Sequence, residues 1–230
     1  ETGGMAAVKG IVQALCESQI PFDLMMEHQI TENLDQLELI IIPEWHWINE
    51  DIKNKLISFV KNGGNIIVIG PYSTKLFQKE LDVSFNSEIQ TGNRWLGFND
   101  TYSCYMKNDF VCVEPQTSQK TIGTISTFEH TGYSFGADHT SLQTEKPAAS
   151  IAELGNGKIA GIYLGFGRNY LLAGNCNSRS FLKTVITNLL PEPIVSVEGS
   201  NNVDVVVNRL NGNLAINLIN TSGPHANNNI

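Results

Sequence analysis

Leu37-Glu-Leu-Ile-Ile-Ile42 and Asn65-Ile-Ile-Val-Ile69 are the stretches that decide the fold. Both are short, nearly continuous runs of branched aliphatics. That pattern belongs to strands covered on both faces, as in a parallel sheet, rather than to half-exposed strands that alternate apolar and polar residues. Between them, Asn49 is a good helix N-cap, Glu50 and Asp51 suit the positive helix start, and Ile52, Leu56, Phe59 and Val60 form one apolar stripe. Asn62-Gly63-Gly64 supplies the stop. Strand, helix and strand in this order describe a parallel crossover unit.

Working outward, Met5 to Ser18 carries Ala7, Val8, Ile11, Val12 and Leu15 at helical spacing, and Pro21 ends that helix. Phe22 to Met26 reads as a further strand, and Ser73 to Leu81 as a helix with Ser73 as its N-cap. The expected fold is α/β, a doubly wound, flavodoxin-like parallel sheet in three layers over residues 1–193. Residues 84–146 read as a β-rich insertion with many Thr, Ser and Asn, including strands at Phe110–Val113 and Thr121–Phe128. Ala149–Leu154, the turn Gly155-Asn156-Gly157 and Lys158–Gly165 form a hairpin signal, and Phe181, Val185, Ile186, Leu189 and Leu190 line a last helix. Pro191-Glu192-Pro193 marks a domain boundary. Beyond it, residues 194–230 read as the start of a β-sandwich-like domain, with Val203, Val205 and Val207 alternating, then the Asn211-Gly212 turn, then Leu214, Ile216 and Leu218. The start at Glu1 and the Asn-rich end read as cuts inside a longer protein.

Composition narrows the function. The net charge is −8, and the 15 Lys and Arg are scattered singly, so no surface is built to neutralise nucleic-acid phosphates. No apolar run approaches the roughly 18 residues that span a bilayer. The cysteines, Cys16, Cys104, Cys112 and Cys176, form no CxxC pair or Cys/His cluster, so neither a metal nor another cofactor is expected. Buried free thiols are the favoured reading, with a Cys104–Cys112 disulfide as the alternative.

A doubly wound sheet places its chemistry beyond the carboxyl ends of its strands. The loops there read Pro43-Glu44-Trp45-His46-Trp47 and Gly70-Pro71-Tyr72-Ser73. Glu44 and His46 offer an acid/base pair, while Trp45 and Trp47 offer flat apolar faces for a sugar or a partner, with packing beneath the neighbouring loop as the alternative. Trp95 and Tyr102, among Asn93, Arg94, Asn99 and Asp100, form a second candidate surface. Glu44, Trp45, His46, Trp47, Trp95 and Tyr102 are therefore the candidate ligand-binding residues. No catalytic residue is assigned: the second loop lacks a GxSxG or GxCxG nucleophile, and His130, Asp138 and His139 have no nucleophile to serve. Gly165-Phe-Gly167-Arg168 lacks the third glycine and the Lys-Ser/Thr of phosphate loops and reads as a strand end.

Leu39-Ile-Ile-Ile-Pro-Glu44 and Val60-Lys-Asn-Gly-Gly-Asn-Ile-Ile-Val-Ile-Gly70 resemble the class I glutamine amidotransferase-like, trimerisation-type domain of glycoside hydrolase family 42 β-galactosidases. There a catalytic (β/α) barrel precedes the domain and a small β-sandwich follows it. The resemblance covers nearly the whole chain. It implies a non-catalytic accessory or oligomerisation module in carbohydrate metabolism, with self-association or an attached barrel as partner and carbohydrate as a further one. A secreted parent would place it in the periplasm or outside the cell. Amidotransferases carry a nucleophilic cysteine at the elbow, where this chain has Gly70-Pro71-Tyr72. The alternatives are a carbohydrate-binding module and a small hydrolase using Glu44, His46 or His139.

Overall fold

The computed structural model describes residues 3–116, 119–128, 142–199 and 202–221. Both deciding runs are strands, β1 (Leu39–Ile42) and β2 (Asn65–Ile69), paired in parallel with Ile40 opposite Ile66 and Ile42 opposite Val68. Ile66, Ile67 and Val68 are wholly buried, which is why the run needs no polar face. Ahead of β1 lie α1 (Gly3–Glu17) and α2 (Glu27–Asn33); α3 (Glu50–Lys61) joins β1 to β2, and α4 (Pro71–Leu76) follows. Asn49 caps α3 by accepting a hydrogen bond from Asp51 N, and the Gly64 amide closes the helix onto Phe59 O.

The chain then forms β3 (Val83–Phe85), β4 (Gln90–Phe98), β5 (Thr101–Phe110), β6 (Val113–Pro115), β7 (Lys120–Phe128), β8 (Leu142–Leu154) and β9 (Gly157–Ile162). Two helices, α5 (Phe166–Ala173) and α6 (Cys176–Leu189), precede the hairpin β10 (Val203–Leu210) and β11 (Asn213–Asn220). One seven-stranded sheet has the order β1-β2-β9-β8-β7-β4-β5. Only β1, β2 and β9 run parallel; β8, β7, β4 and β5 add antiparallel, so the sheet is mixed rather than wholly parallel. The β-rich stretch extends the central sheet, apart from the small β3–β6 pair. Helices α3 and α4 contact β2 and β9, and α6 contacts β2, β4, β5, β7 and β9.

Several sequence expectations are corrected. Phe22 to Met26 joins no strand; Phe22, Leu24 and Met26 are 39%, 70% and 65% exposed, so local β propensity found no neighbour to pair with. The helix expected from Ser73 to Leu81 ends at Leu76 and continues as turns. Phe110–Val113 is divided between the end of β5 and the start of β6. Cys176 is exposed and Cys16 and Cys112 are only half-buried, so burial does not account for these free thiols.

Helix α5, which the sequence hid behind Gly165-Phe-Gly167, exists because it packs on α1. A Cβ placed on Gly10 would lie 1.7 Å from Gly167 O, and one on Gly167 would lie 2.1 Å from Ala7 O. The two backbones touch, and only glycine permits that approach. Glu17 then ties the helices together, accepting hydrogen bonds from Tyr170 Oη on α5 and from Arg179 Nη1 on α6, the latter at 3.1 Å.

Candidate functional site

The carboxyl ends of β1 and β2, the turn after β9 and the last residues of β5 meet at one place. After β1, Pro43 turns the chain outward, and Ser73 fixes the resulting loop: its hydroxyl accepts from Trp45 N and donates to Pro43 O at 2.8 Å. Ser73 is therefore a loop latch rather than a helix cap; Gly70 occupies the cap position of α4. Beyond β9, Gly165 N donates to Asp109 O at 3.0 Å and Val111 N to Tyr163 O at 3.0 Å, while Asn108 Nδ2 bonds Gly165 O. These bonds hold the end of β5 beside the start of α5, which carries Arg168.

Glu44 sits at the centre. Its Oε1 is buried and has no hydrogen-bond partner. Burial, reinforced by the charge of Asp109 and opposed by Arg168, pushes its pKa up from 4.5 to about 7. Tyr72 is hydrogen-bonded to Asp109, and its pKa is raised by burial and by the charges of Asp109 and Glu44. The His46 ring stacks on Tyr72, centroids 4.0 Å apart and planes 19° from parallel.

The elbow after β2 decides which chemistry is possible. Gly70 has φ +97°, a conformation that other residues rarely adopt. A Cβ there would lie 2.8 Å from Glu44 Cδ and 2.9 Å from both Cγ and Oε1. Glu44 fills the space that a nucleophilic side chain at Gly70 would need.

Of the residues singled out from sequence, Glu44, Trp45, His46 and Trp47 share this loop. Trp45 is half-buried against the core, His46 is exposed over Tyr72, and Trp47 is 72% exposed. Packing thus claims Trp45 and leaves Trp47 free. Trp95 is half-buried on β4 opposite Tyr105 and Ser126, and Tyr102 lies in β5 opposite Gly97, both in the antiparallel part of the sheet. His130, Asp138 and His139 lie outside the described residues. Sequence reasoning missed Asp109 and Arg168 as site members. Arg168 had a usable signal, because it follows a strand end just as Glu44 and Tyr72 do; Asp109 had none. Among the described residues no group of three His, Cys, Asp or Glu could hold a metal, and no helix is long and apolar enough to cross a membrane.

Residues 4–79 match the family model described as GLMA-like, second domain. No curated protein sequence matches the chain significantly. Among solved structures, a catalytic mutant of Gan42B, a family 42 β-galactosidase from G. stearothermophilus, superposes with a TM-score of 0.64 at 15% identity, over 94% of this chain and 30% of that one. The fold is that of a module within family 42 β-galactosidases. α-L-Fucosidase isoenzyme 2 from Paenibacillus thiaminolyticus is similar too, with a TM-score of 0.67 at 16% identity over 86% of this chain and 31% of that one. The chain thus spans under a third of the length of these enzymes. A cytoplasmic protein from Salmonella typhimurium LT2 differs in that respect: it matches over 78% of this chain and 86% of its own, with a TM-score of 0.53 at 10% identity. The same fold also makes up most of a separate polypeptide.

Proposed function

We propose that the chain is a non-catalytic accessory module of a β-galactosidase-like glycoside hydrolase, which self-associates or shapes the active-site rim of an attached barrel. The single observation behind this reading is Gly70. The elbow that would present an amidotransferase nucleophile carries no side chain, and Glu44 stands in its place. The fold supports the association with glycoside hydrolases, since most of each matching enzyme lies outside the shared module. On this reading residues 1–193 form a flavodoxin-like, three-layer domain of trimerisation type, and residues 194–230 begin a β-sandwich-like one.

The test is to purify residues 1–230 and assay aryl galactosides, aryl fucosides and glutamine across a range of pH, with mass measured by light scattering. The expected result is no turnover above buffer. Turnover that disappears in Glu44→Gln would overturn the reading in favour of a hydrolase. A second reading, carbohydrate binding, is favoured by Trp47, whose indole is exposed on the loop that also carries Glu44 and His46.

A further inference from the structure

We infer that Glu44, Tyr72, Asp109 and Arg168 form a binding site for the hydroxyl groups of a neutral sugar unit, with Trp47 available at its rim. The inference deepens the accessory-module reading and rests on it.

The argument is one of elimination followed by fit. An anion is disfavoured, because the Asp109 carboxylate already offsets the one guanidinium and Glu44 adds no positive charge. A metal ion is disfavoured by Arg168 and by the absence, among the described residues, of a third metal-binding group. A covalent intermediate needs a nucleophile, which Gly70 does not provide. What the cluster does supply is a mixture of acceptors and donors. Asp109 and Glu44 accept, Arg168 donates through a planar fork, and Tyr72 can do both. Neighbouring hydroxyls of a sugar present the complementary mixture.

Charge agrees with this. With Glu44 protonated, Asp109 and Arg168 cancel and the cluster is neutral, as suits an uncharged ligand. The protonated carboxyl then both donates and accepts, and its unpartnered Oε1 needs a partner to offset burial. The location is the usual one for ligands of doubly wound sheets, beyond the carboxyl ends of parallel strands.

The experiment is an NMR titration of ¹⁵N-labelled residues 1–230 with D-galactose, L-fucose and D-glucose. A monosaccharide of about 12 heavy atoms, with the binding efficiency of small ligands, binds with a Kd on the order of 1 mM. The expected result is saturable shifts of the Gly70, Tyr72 and Gly165 amides. Asp109→Asn and Arg168→Gln should each weaken binding about tenfold, the equivalent of one lost charged hydrogen bond. Arg168→Lys keeps the charge but loses the fork, and provides a folded control should Arg168→Gln fail to fold.

No saturable shift at concentrations well above ~1 mM would overturn the inference, as would binding indifferent to Asp109→Asn and to both Arg168 variants. A response to tetramethylammonium with none to the sugars would also overturn it, reassigning the cluster to cations. The two readings fail separately: turnover of an aryl glycoside breaks the accessory reading, whereas no sugar response and no turnover breaks only the binding site.

Discussion

The β1–β2 pair and the β10–β11 pair are both built from branched aliphatics, yet their surroundings are opposite. Ile66, Ile67 and Val68 in β2 are wholly buried. Every residue of β11 is exposed, including Ile216 at 49% and Leu218 at 59%. The register places Val205 opposite Leu218 and Val207 opposite Ile216, so the hairpin has one apolar face, half-buried along β10 and open along β11. Strand formation and strand burial are separate matters. Alternation and the Asn211-Gly212 turn, both residues at positive φ, suffice to form a hairpin; a sheet core also needs layers on either side.

The sharpest test compares one aliphatic truncation in each region. Ile67→Ala in β2 should cost about 4 kcal/mol in urea unfolding, through lost burial and a cavity that its fully packed neighbours cannot close. Ile216→Ala in β11 should cost less than about 1 kcal/mol, because half of that side chain already meets water. Equal losses would mean that the hairpin is covered in solution and would break the contrast.

Next in size is the seam between α1 and α5. Gly167→Ala drives a methyl group into the backbone at Ala7 O and should destabilise by about 2 to 3 kcal/mol. Gly212→Ala, at φ +82° in the hairpin turn with open space around it, tests backbone strain alone. It should cost about 1 kcal/mol, well under the loss expected for Gly167→Ala.

A third test uses pH. The pKa of Glu44 is raised, so the folded chain holds a proton that the unfolded chain releases. The associated stability is fully present below about pH 4.5 and is lost as pH rises through about 7. Glu44→Gln should therefore be more stable than the parent at pH 8, on the order of 1–2 kcal/mol after discounting for partial exposure, and equal to it at pH 4.5. A difference independent of pH would show that ionisation of Glu44 is not the cause.

The parallel strands were the easiest part of the fold to read, because burial on both faces leaves an uninterrupted aliphatic run and because Asn49 and Gly63-Gly64 punctuate the helix between them. Phe22 to Met26 misled, since strand propensity is local but strand pairing is not. Helix α5 was hidden because its two glycines make sense only against α1. At the candidate site, Glu44 and His46 were legible from their place after β1. Asp109 was not, because it reaches the site through backbone pairing between the end of β5 and Gly165, 56 residues further along the chain. No periodicity within either segment encodes that contact.

The smallest expected effect on stability concerns the hairpin face itself. Ile216→Thr combined with Leu218→Ser replaces two exposed aliphatics on one face with β-compatible polar residues. Neither side chain fills a cavity, and the backbone pairing of β10 with β11 is kept, so the unfolding midpoint should move by no more than about 0.5 kcal/mol equivalent. Association should respond more. The face bearing Val203, Val205, Val207, Leu214, Ile216 and Leu218 is a contiguous apolar strip, and such strips on soluble proteins mark contact surfaces. If the chain self-associates through this strip, light scattering across a concentration series should find the double variant shifted toward monomer while its fold is unchanged by circular dichroism. An unchanged mass at every concentration would show that the hairpin strip forms no interface between copies of this chain.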